Sequence, residues 1–158
     1  MYHIAFVHRQ AAERLLNNSK TVEMRISKSR HPARLAQVGD WLIFKQSGGE
    51  VFAAALLTEV HHFADLTPGD ILVLTELFSP SMGISSKHPV WTKKREARYA
   101  SFLAFETLYP ATLSAEETPR SVMLGWKSRP NLSTLVIRKS MPTPQIQAMH
   151  PQQIPMWS

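Results

Sequence analysis

The chain has 158 residues, a hydrophobic fraction of 44% and a formal net charge of +6. This length suits one domain with a substantial buried core, and the composition is typical of a folded protein rather than a disordered one. The sequence contains no cysteine, which excludes a disulfide scaffold, a thiolate zinc site and a cysteine nucleophile.

The apolar runs and the N-terminus bear on where the protein is found. The most apolar runs, at 51–57 and 71–74, are too short to span a bilayer. The start of the chain lacks the basic leader and the apolar stretch of a secretion signal. We therefore expect a cytoplasmic protein with no membrane partner.

Lysine and arginine are unevenly distributed along the chain. Neither occurs between Glu50 and Ser86, a stretch whose charged residues are all acidic, so the positive charge lies before and after it. Such segregation predicts a basic face that binds phosphates. A solvated surface with an excess of cations is the alternative reading of the same distribution.

The first half of the chain predicts mostly strands. β-Branched and aromatic residues indicate the strands, and a Gly-Gly turn separates the last two. Apolar residues at helical spacing indicate one helix, and a polar, basic stretch indicates a loop. The predicted elements are a strand at 4–8, a helix at 10–17, a strand at 21–26, a basic loop at 27–37 and strands at 41–46 and 51–63.

The second predicted strand, at 21–26, separates its charged and apolar side chains. Because side chains alternate along a strand, Thr21, Glu23 and Arg25 share one face. The apolar residues at 22, 24 and 26 share the other face. We expect the apolar face to pack on the core and the charged face to line a groove or contact water.

The second half of the chain begins with a helix signal, in which Thr67 is the cap and Pro68 the first residue. Strands outnumber helices overall, which favours a small curved sheet or barrel with flanking helices. The domain is predicted over 1–140 and an extended, proline-rich tail over 141–158. The remaining predicted elements are a helix to residue 78, a loop at 79–89, a basic helix at 90–98, a strand at 99–109 closed by proline, an apolar island at 122–124 and a strand at 132–138.

Lys20, Glu23 and Arg25 form a Lys-x-x-Glu-x-Arg motif between the first helix and a Val-Gly-Asp turn at 38–40. This order of elements resembles the ASCH domain, a branch of the PUA-like superfamily that includes the PUA, EVE and YTH domains. The likeness extends over roughly the first 110 residues. One departure is Asn18, which stands where the family usually has glycine, and asparagine also tolerates a left-handed backbone.

The resemblance implies a single PUA-like or ASCH β-barrel domain, mainly β with flanking helices (α+β), with a ligand cleft beside the motif strand. Members of the family are associated with RNA or modified-nucleobase binding, and a few are hydrolases. We therefore expect an RNA or nucleotide-like ligand and no cofactor. No metal site is expected, because the adjacent histidines His61 and His62 point to opposite faces of their strand.

A nucleotide cleft needs cations for phosphates, hydrogen-bonding groups for base edges and a flat partner for stacking. Glu23 is the predicted acceptor for a base amino group, and Thr21 lies on the same strand face. The alternative is that the motif residues form a surface ion network. The predicted cations are Lys20, Arg25, Lys28, Arg30, Arg34 and Lys45. The candidate stacking residues are Trp91, Tyr99, Trp41 and Trp126, of which Trp41 fits the core better.

Catalysis is the competing function. Lys20 and Glu23 are the candidate acid and base of a ribonuclease acting around a 2′-hydroxyl. One amidohydrolase branch of the family places a threonine nucleophile where Glu23 stands here, and Thr21 is an imperfect substitute for it. A barrel that binds other proteins, with its charges on the surface only, is the third reading.

Overall fold

The structure is a computed structural model and describes residues 1–138. The domain boundary predicted at 140 and the proline-rich tail predicted at 141–158 lie outside the described residues. Among residues 1–138, no helix is long and apolar enough to cross a membrane.

Within this range, seven strands form one mixed sheet that curls into a half-barrel. The order across the sheet is β2-β5-β4-β3-β1-β6, and β7 pairs with the far end of β5. β1 and β3 run parallel, and the other pairs are antiparallel. The strands are β1 (Tyr2–Val7), β2 (Val22–Ser27), β3 (Trp41–Gln46), β4 (Val51–Phe63), β5 (Tyr99–Thr112), β6 (Trp126–Arg129) and β7 (Val136–Ile137).

Three α-helices and three short 3-10 helices connect the strands of the described chain. Thr67 and Asp70 form a reciprocal capping box at the start of the second helix, which therefore begins where its sequence signal predicts. The α-helices are α1 (Arg9–Leu16), α2 (Pro68–Phe78) and α3 (Pro89–Lys93). The 3-10 helices are Pro32–Leu35, Pro80–Met82 and Met123–Gly125.

The two faces of the sheet bury separate apolar clusters. Phe44, Leu103 and Phe105 belong to the cluster inside the half-barrel. Ile71 and Phe102 belong to a second cluster, which packs α2 and α3 on the outer face of β2 and β5. Both faces of β2 are therefore covered, so the charged residues of β2 are largely shielded from solvent.

The edge strands of the sheet order are β2 and β6, and β2 pairs with neither β6 nor its neighbour β1, which leaves an open seam between β2 and the β1–β6 pair. Arg25 on β2 bridges this seam: its Nη2 donates to Phe6 O on β1 at 2.8 Å. Its Nη1 donates to Gly125 O at 3.3 Å and Leu124 O at 3.4 Å, just before β6. The guanidinium thus takes the place of a strand ladder where the barrel would close.

Several sequence predictions are confirmed by these bounds, and three are wrong. The mainly β fold and the bounds of β3, β4 and α2 agree with prediction. The helix predicted to residue 98 ends at Lys93, because Arg98 N–H instead bonds to Ser27 O on β2. β5 does not stop before Pro110 but continues to Thr112, with Pro110 opposite Ala53.

The strand predicted at 132–138 also differs from expectation. Only Val136–Ile137 pairs with β5, because Glu117 binds the backbone N–H groups of Ser133 and Thr134. The apolar island at 122–124, to which the sequence assigned no element, runs into the 3-10 helix Met123–Gly125, and Met123 is 85% exposed.

Candidate functional site

A cleft of about 230 Å³ opens at the seam between β1 and β2, and we call it the seam cleft. Its residues come from four segments: β1 and His8, α1, the stretch from Lys20 along β2, and the segment 82–94. The polar residues that line it are His8, Arg14, Lys20, Glu23, Arg25, His88 and Lys94. The apolar walls include Phe6, Met24, Ile84 and Val90.

Local structure holds Lys20 at the cleft. After α1 the chain turns through Asn18 at φ 64°, the left-handed conformation that the sequence predicts for this position. The Lys20 N–H then donates to Arg14 O at 3.1 Å. The 3-10 helix Pro80–Met82 ends at Gly83, which packs closely against this turn: a Cβ on Gly83 would lie 2.7 Å from Ser19 O. Lys20 is therefore held from both sides.

β2 aligns Glu23 and Arg25 with this lysine. Glu23 Oε1 lies 3.7 Å from Lys20 Nζ and 3.9 Å from Arg25 Nε. The three side chains are only 4%, 7% and 13% exposed for Lys20, Glu23 and Arg25. Glu23 stands opposite Leu103, an interior barrel residue, so the charged face of β2 points into the barrel end. The alternative of a surface ion network is therefore right about the pairing and wrong about the place: the three residues do pair, but they are buried.

Three polar atoms in this cluster are buried without a hydrogen-bond partner. They are Glu23 Oε2, Arg14 Nε and Arg25 Nε, and within residues 1–138 every such orphaned side-chain atom belongs to a residue that lines the seam cleft. An unpaired buried polar group costs about 1–3 kcal/mol, so native proteins rarely keep one without a reason. Three residues that line the cleft thus hold one acceptor and two donors that have no hydrogen-bond partner in the described chain.

Burial and the neighbouring charges both shift the pKa of Lys20. Burial lowers the pKa of Lys20 from its ordinary value. Glu23 partly opposes this effect, while Arg14 and Arg25 add to it. A buried lysine with a lowered pKa is a recurrent feature of binding and catalytic sites.

Sequence reasoning missed His8, Arg14, His88 and Lys94. His8 caps α1 by accepting from the Ala11 N–H, and burial together with Arg14 lowers the pKa of its imidazole. Each of the four residues lies on a different element from Glu23, and no spacing in the sequence links them to it. The position of His8 directly before the first helix was the one local feature of the sequence that distinguished any of these four residues.

A second cavity brings together other predicted residues. This cavity of about 370 Å³, which we call the loop pocket, lies between the basic loop, the end of β4 and the start of β5. Arg30, Arg34 and Tyr99 line it, and Arg25 lines both cavities. Four of the six predicted cations are thus divided between two adjoining sites.

Four predicted ligand residues lie elsewhere. Thr21 precedes β2, and its hydroxyl donates to Ser81 O at 3.5 Å rather than facing the cleft. Lys45 places its amine 4.6 Å from the centre of the Phe6 ring and lines a different cavity. Lys28 is exposed and lines neither site. Trp91 is a core residue whose indole N–H donates to Ser79 Oγ at 2.8 Å, so its ring is not free to stack.

The other two candidate tryptophans are packed as well. Trp126 is buried and supports Arg25, whose guanidinium carbon lies 5.4 Å from the ring centre. Trp41 packs on a third apolar cluster, which includes Ile4 and Ile43, and its ring centre lies 6.1 Å from that of Tyr109. Of the aromatic candidates, Tyr99 alone lines one of the two cavities, being a half-buried residue of the loop pocket.

Solved structures with the same architecture exist, although no family model and no curated protein matches the sequence. The crystal structure of an ASCH protein from Zymomonas mobilis superposes with a TM-score of 0.54 at 14% identity, covering 70% of each chain. A serine-to-alanine mutant of that protein has a TM-score of 0.52 at 14% identity over the same shares. A tyrosine-to-phenylalanine mutant has a TM-score of 0.53 at 12% identity and covers 94% of this chain and 97% of that one. The chain therefore adopts the ASCH fold, a mainly β, α+β half-barrel of the PUA-like type.

Proposed function

We propose that the seam cleft binds a single unpaired nucleobase, presented by an RNA strand or by a modified nucleoside. The observation that carries the proposal is the convergence of orphaned buried atoms, Glu23 Oε2 with Arg14 Nε and Arg25 Nε, on one cleft. A ligand that supplies donors to the carboxylate and acceptors to the guanidinium groups satisfies all three.

A nucleobase fits these requirements in chemistry and size. Its edge carries amino or imino donors beside carbonyl acceptors, and its faces are apolar. The cleft matches the faces with walls such as Phe6 and Val90. Its volume of about 230 Å³ is below the roughly 300–1,000 Å³ of sites for drug-sized ligands, which favours one base over a longer stacked segment.

The charge of the cleft favours the same ligand class. Arg14, Lys20, Arg25 and Lys94 outnumber Glu23 as formal charges among the lining residues. An electropositive cleft attracts a polyanion such as RNA over long range. The ASCH fold supports this reading at the level of the family, whose members are associated with RNA and modified nucleobases.

Fluorescence anisotropy with short single-stranded ribo-oligonucleotides of each base tests the proposal at two salt concentrations. We expect salt-sensitive binding that Glu23→Gln weakens by at least about tenfold, since one good base-edge contact contributes roughly 1–3 kcal/mol. The matched control is Glu13→Gln, which makes the same change at an exposed position of α1. Absence of binding, or equal binding by both variants, overturns the proposal.

A hydrolase is the second candidate, favoured by the burial that lowers the pKa of Lys20 beside Glu23. In its neutral form the Lys20 amine can take the proton from a 2′-hydroxyl that attacks the adjacent phosphorus and displaces the 5′-oxygen, or from water that attacks the acyl carbonyl of an N-acylated base and displaces the base amine. The displaced oxygen or nitrogen then takes up a proton. Turnover of single-stranded RNA or of an N-acylated nucleoside, lost in Lys20→Met with the fold intact, supports this candidate. Binding without turnover across both substrate classes leaves the binding function alone.

A further inference from the structure

The loop pocket carries a set of cations that the seam cleft does not use. Arg30 and Arg34 line it, are exposed, and make no side-chain hydrogen bond within the described residues. Asp65 is the one acidic residue in its lining. Two free guanidinium groups facing one cavity are suited to bidentate binding of phosphate oxygens.

The basic loop that presents these arginines is held rigidly. Its His31 accepts from the Ala33 N–H at 3.0 Å through Nδ1 and donates from Nε2 to Leu124 O at 3.2 Å. His62 Nε2 bonds to Ala36 O at 2.8 Å at the other end of the 3-10 helix. Ala33 and Ala36 are buried in the barrel core. The backbone around Arg34 is thus ordered before any ligand arrives, which lowers the entropic cost of binding.

The rest of the loop pocket suits a nucleotide. Its volume of about 370 Å³ exceeds that of the seam cleft, and Tyr99 and Phe63 provide aromatic surface in its wall. Aromatic side chains beside arginines are the usual elements of single-strand binding grooves. Arg25 lines this pocket and the seam cleft alike, so the two cavities adjoin at its side chain.

From this arrangement we propose that the loop pocket is a second subsite, which binds the phosphate and the neighbouring nucleotide of the strand whose base enters the seam cleft. This inference rests on the proposed function and narrows it. The ligand is a phosphodiester-linked RNA strand, with Arg30 and Arg34 on its phosphates, rather than a free nucleoside. A nucleoside fills the seam cleft alone and binds more weakly.

The test compares salt dependence in two double variants with the same charge change. Arg30→Gln/Arg34→Gln removes the proposed phosphate contacts from exposed positions, so the fold is not at risk. The control is Arg120→Gln/Arg138→Gln, whose arginines are exposed and line cavities near Thr112, at the opposite end of β5. Thr112 lies up to about 36 Å from Ser101 along the strand, at roughly 3.3 Å per residue.

Binding of a short single-stranded ribo-oligonucleotide is measured over a salt series by anisotropy. We expect the slope of log affinity against log salt to fall by about 1.4 in magnitude in the loop variant, at roughly 0.7 for each phosphate contact. The control variant keeps the slope of the unchanged protein. An unchanged slope in the loop variant, or an equal fall in both variants, overturns the second subsite.

The same series separates this inference from the proposed function. If Glu23→Gln weakens binding but the loop variant keeps its slope, the base site stands and the second subsite fails. If the loop variant loses slope while Glu23→Gln has no effect, the loop pocket binds phosphates as inferred and the nucleobase site fails.

Discussion

The half-barrel buries two polar clusters that differ in how completely their atoms are paired. In the first, which we call the strand cluster, His3 lies 2.7 Å from Ser128 Oγ and 2.8 Å from Asp40 Oδ2. Asp40 also accepts from the Gln37 N–H, and Ser128 accepts from the indole of Trp126. In the seam cleft, by contrast, Glu23 and two arginines each keep an unpartnered atom.

The difference separates a structural role from a binding role. The strand cluster joins β6, β1 and β3, and its three residues line neither the seam cleft nor the loop pocket. Burial acts to raise the pKa of Asp40, but the hydrogen bonds from His3 and Gln37 outweigh it and lower that pKa. A serine, an imidazole and a carboxylate in sequence thus stabilise the sheet, while the incompletely paired cluster is the one suited to a ligand.

Arg25 belongs to both regions, so the division between a binding cluster and a structural cluster does not hold for it. It lines the seam cleft, and it also packs on Trp126 beside the strand cluster. We expect Arg25→Met to lower the free energy of unfolding by about 3 kcal/mol or more. A hydrogen bond from a charged group such as that to Phe6 O is worth about 1.5–3 kcal/mol, and Glu23 also loses a cation. Urea denaturation measures the change.

The control for this variant is Arg34→Met, at an exposed position, which should stay within about 0.5 kcal/mol of the unchanged protein. A loss below about 1 kcal/mol in Arg25→Met would show that the seam is closed by other contacts.

A substitution in the strand cluster should lower the stability of the protein without changing its ligand binding. His3→Leu leaves Ser128 and one carboxylate oxygen of Asp40 short of a partner, so we expect a loss of about 2–3 kcal/mol in urea denaturation. RNA binding by the folded variant should be unchanged. His61→Leu, on the exposed side of β4, is the matched control. A binding loss in His3→Leu at full stability would contradict the structural role of this cluster.

Lys20→Met should affect binding more than stability. Burial disfavours the charged lysine, as its lowered pKa indicates, but the change also removes the cation nearest Glu23, so we expect a smaller fall in the thermal midpoint than in Arg25→Met. Ligand binding should fall by at least about tenfold, or 1.4 kcal/mol, because the cleft loses a cation. Lys87→Met, at an exposed position, controls for the change of charge. A marked drop in thermal midpoint with normal binding would make Lys20 structural.

The smallest expected effect concerns pH and His31, which connects the basic loop to the seam. Burial lowers the pKa of His31 from 6.5, although its bond to Leu124 O opposes the shift. The unfolded chain therefore takes up this proton at a higher pH than the folded chain, and the free energy of unfolding decreases as the pH falls below about 6.5.

Thermal unfolding followed between about pH 7.5 and about pH 5.5 measures this dependence. His31→Gln retains a donor and an acceptor but cannot take up a proton, so its stability should change less over that range. The lowered pKa of His8 leaves a residual dependence of the same sign in the variant. Equal pH dependence in both proteins would contradict the assignment to His31.

Much of the fold could be predicted because the signals are local. The Gly-Gly turn at 48–49 sets the start of β4, and the capping box of Thr67 and Asp70 with Pro68 sets the start of α2. β5 is different: Pro110 suggests a strand end, but its carbonyl accepts the Arg138 N–H and the strand continues. Tertiary pairing overrode the local preference at that position.

The sequence by itself determined that Lys20, Glu23 and Arg25 follow α1 in an ASCH-like order, since spacing along the chain defines a motif. It did not determine that these charges are buried, nor that Arg14, His88 and Lys94 join them while Trp91 is lost to the core. Those outcomes depend on the curl of the sheet, which brings β2 back beside β1, and on helices that cover its outer face. Burial is a property of what lies on every side of a residue, and the neighbours that enclose this site come from segments up to 100 positions away along the chain, as Gly125 is from Arg25.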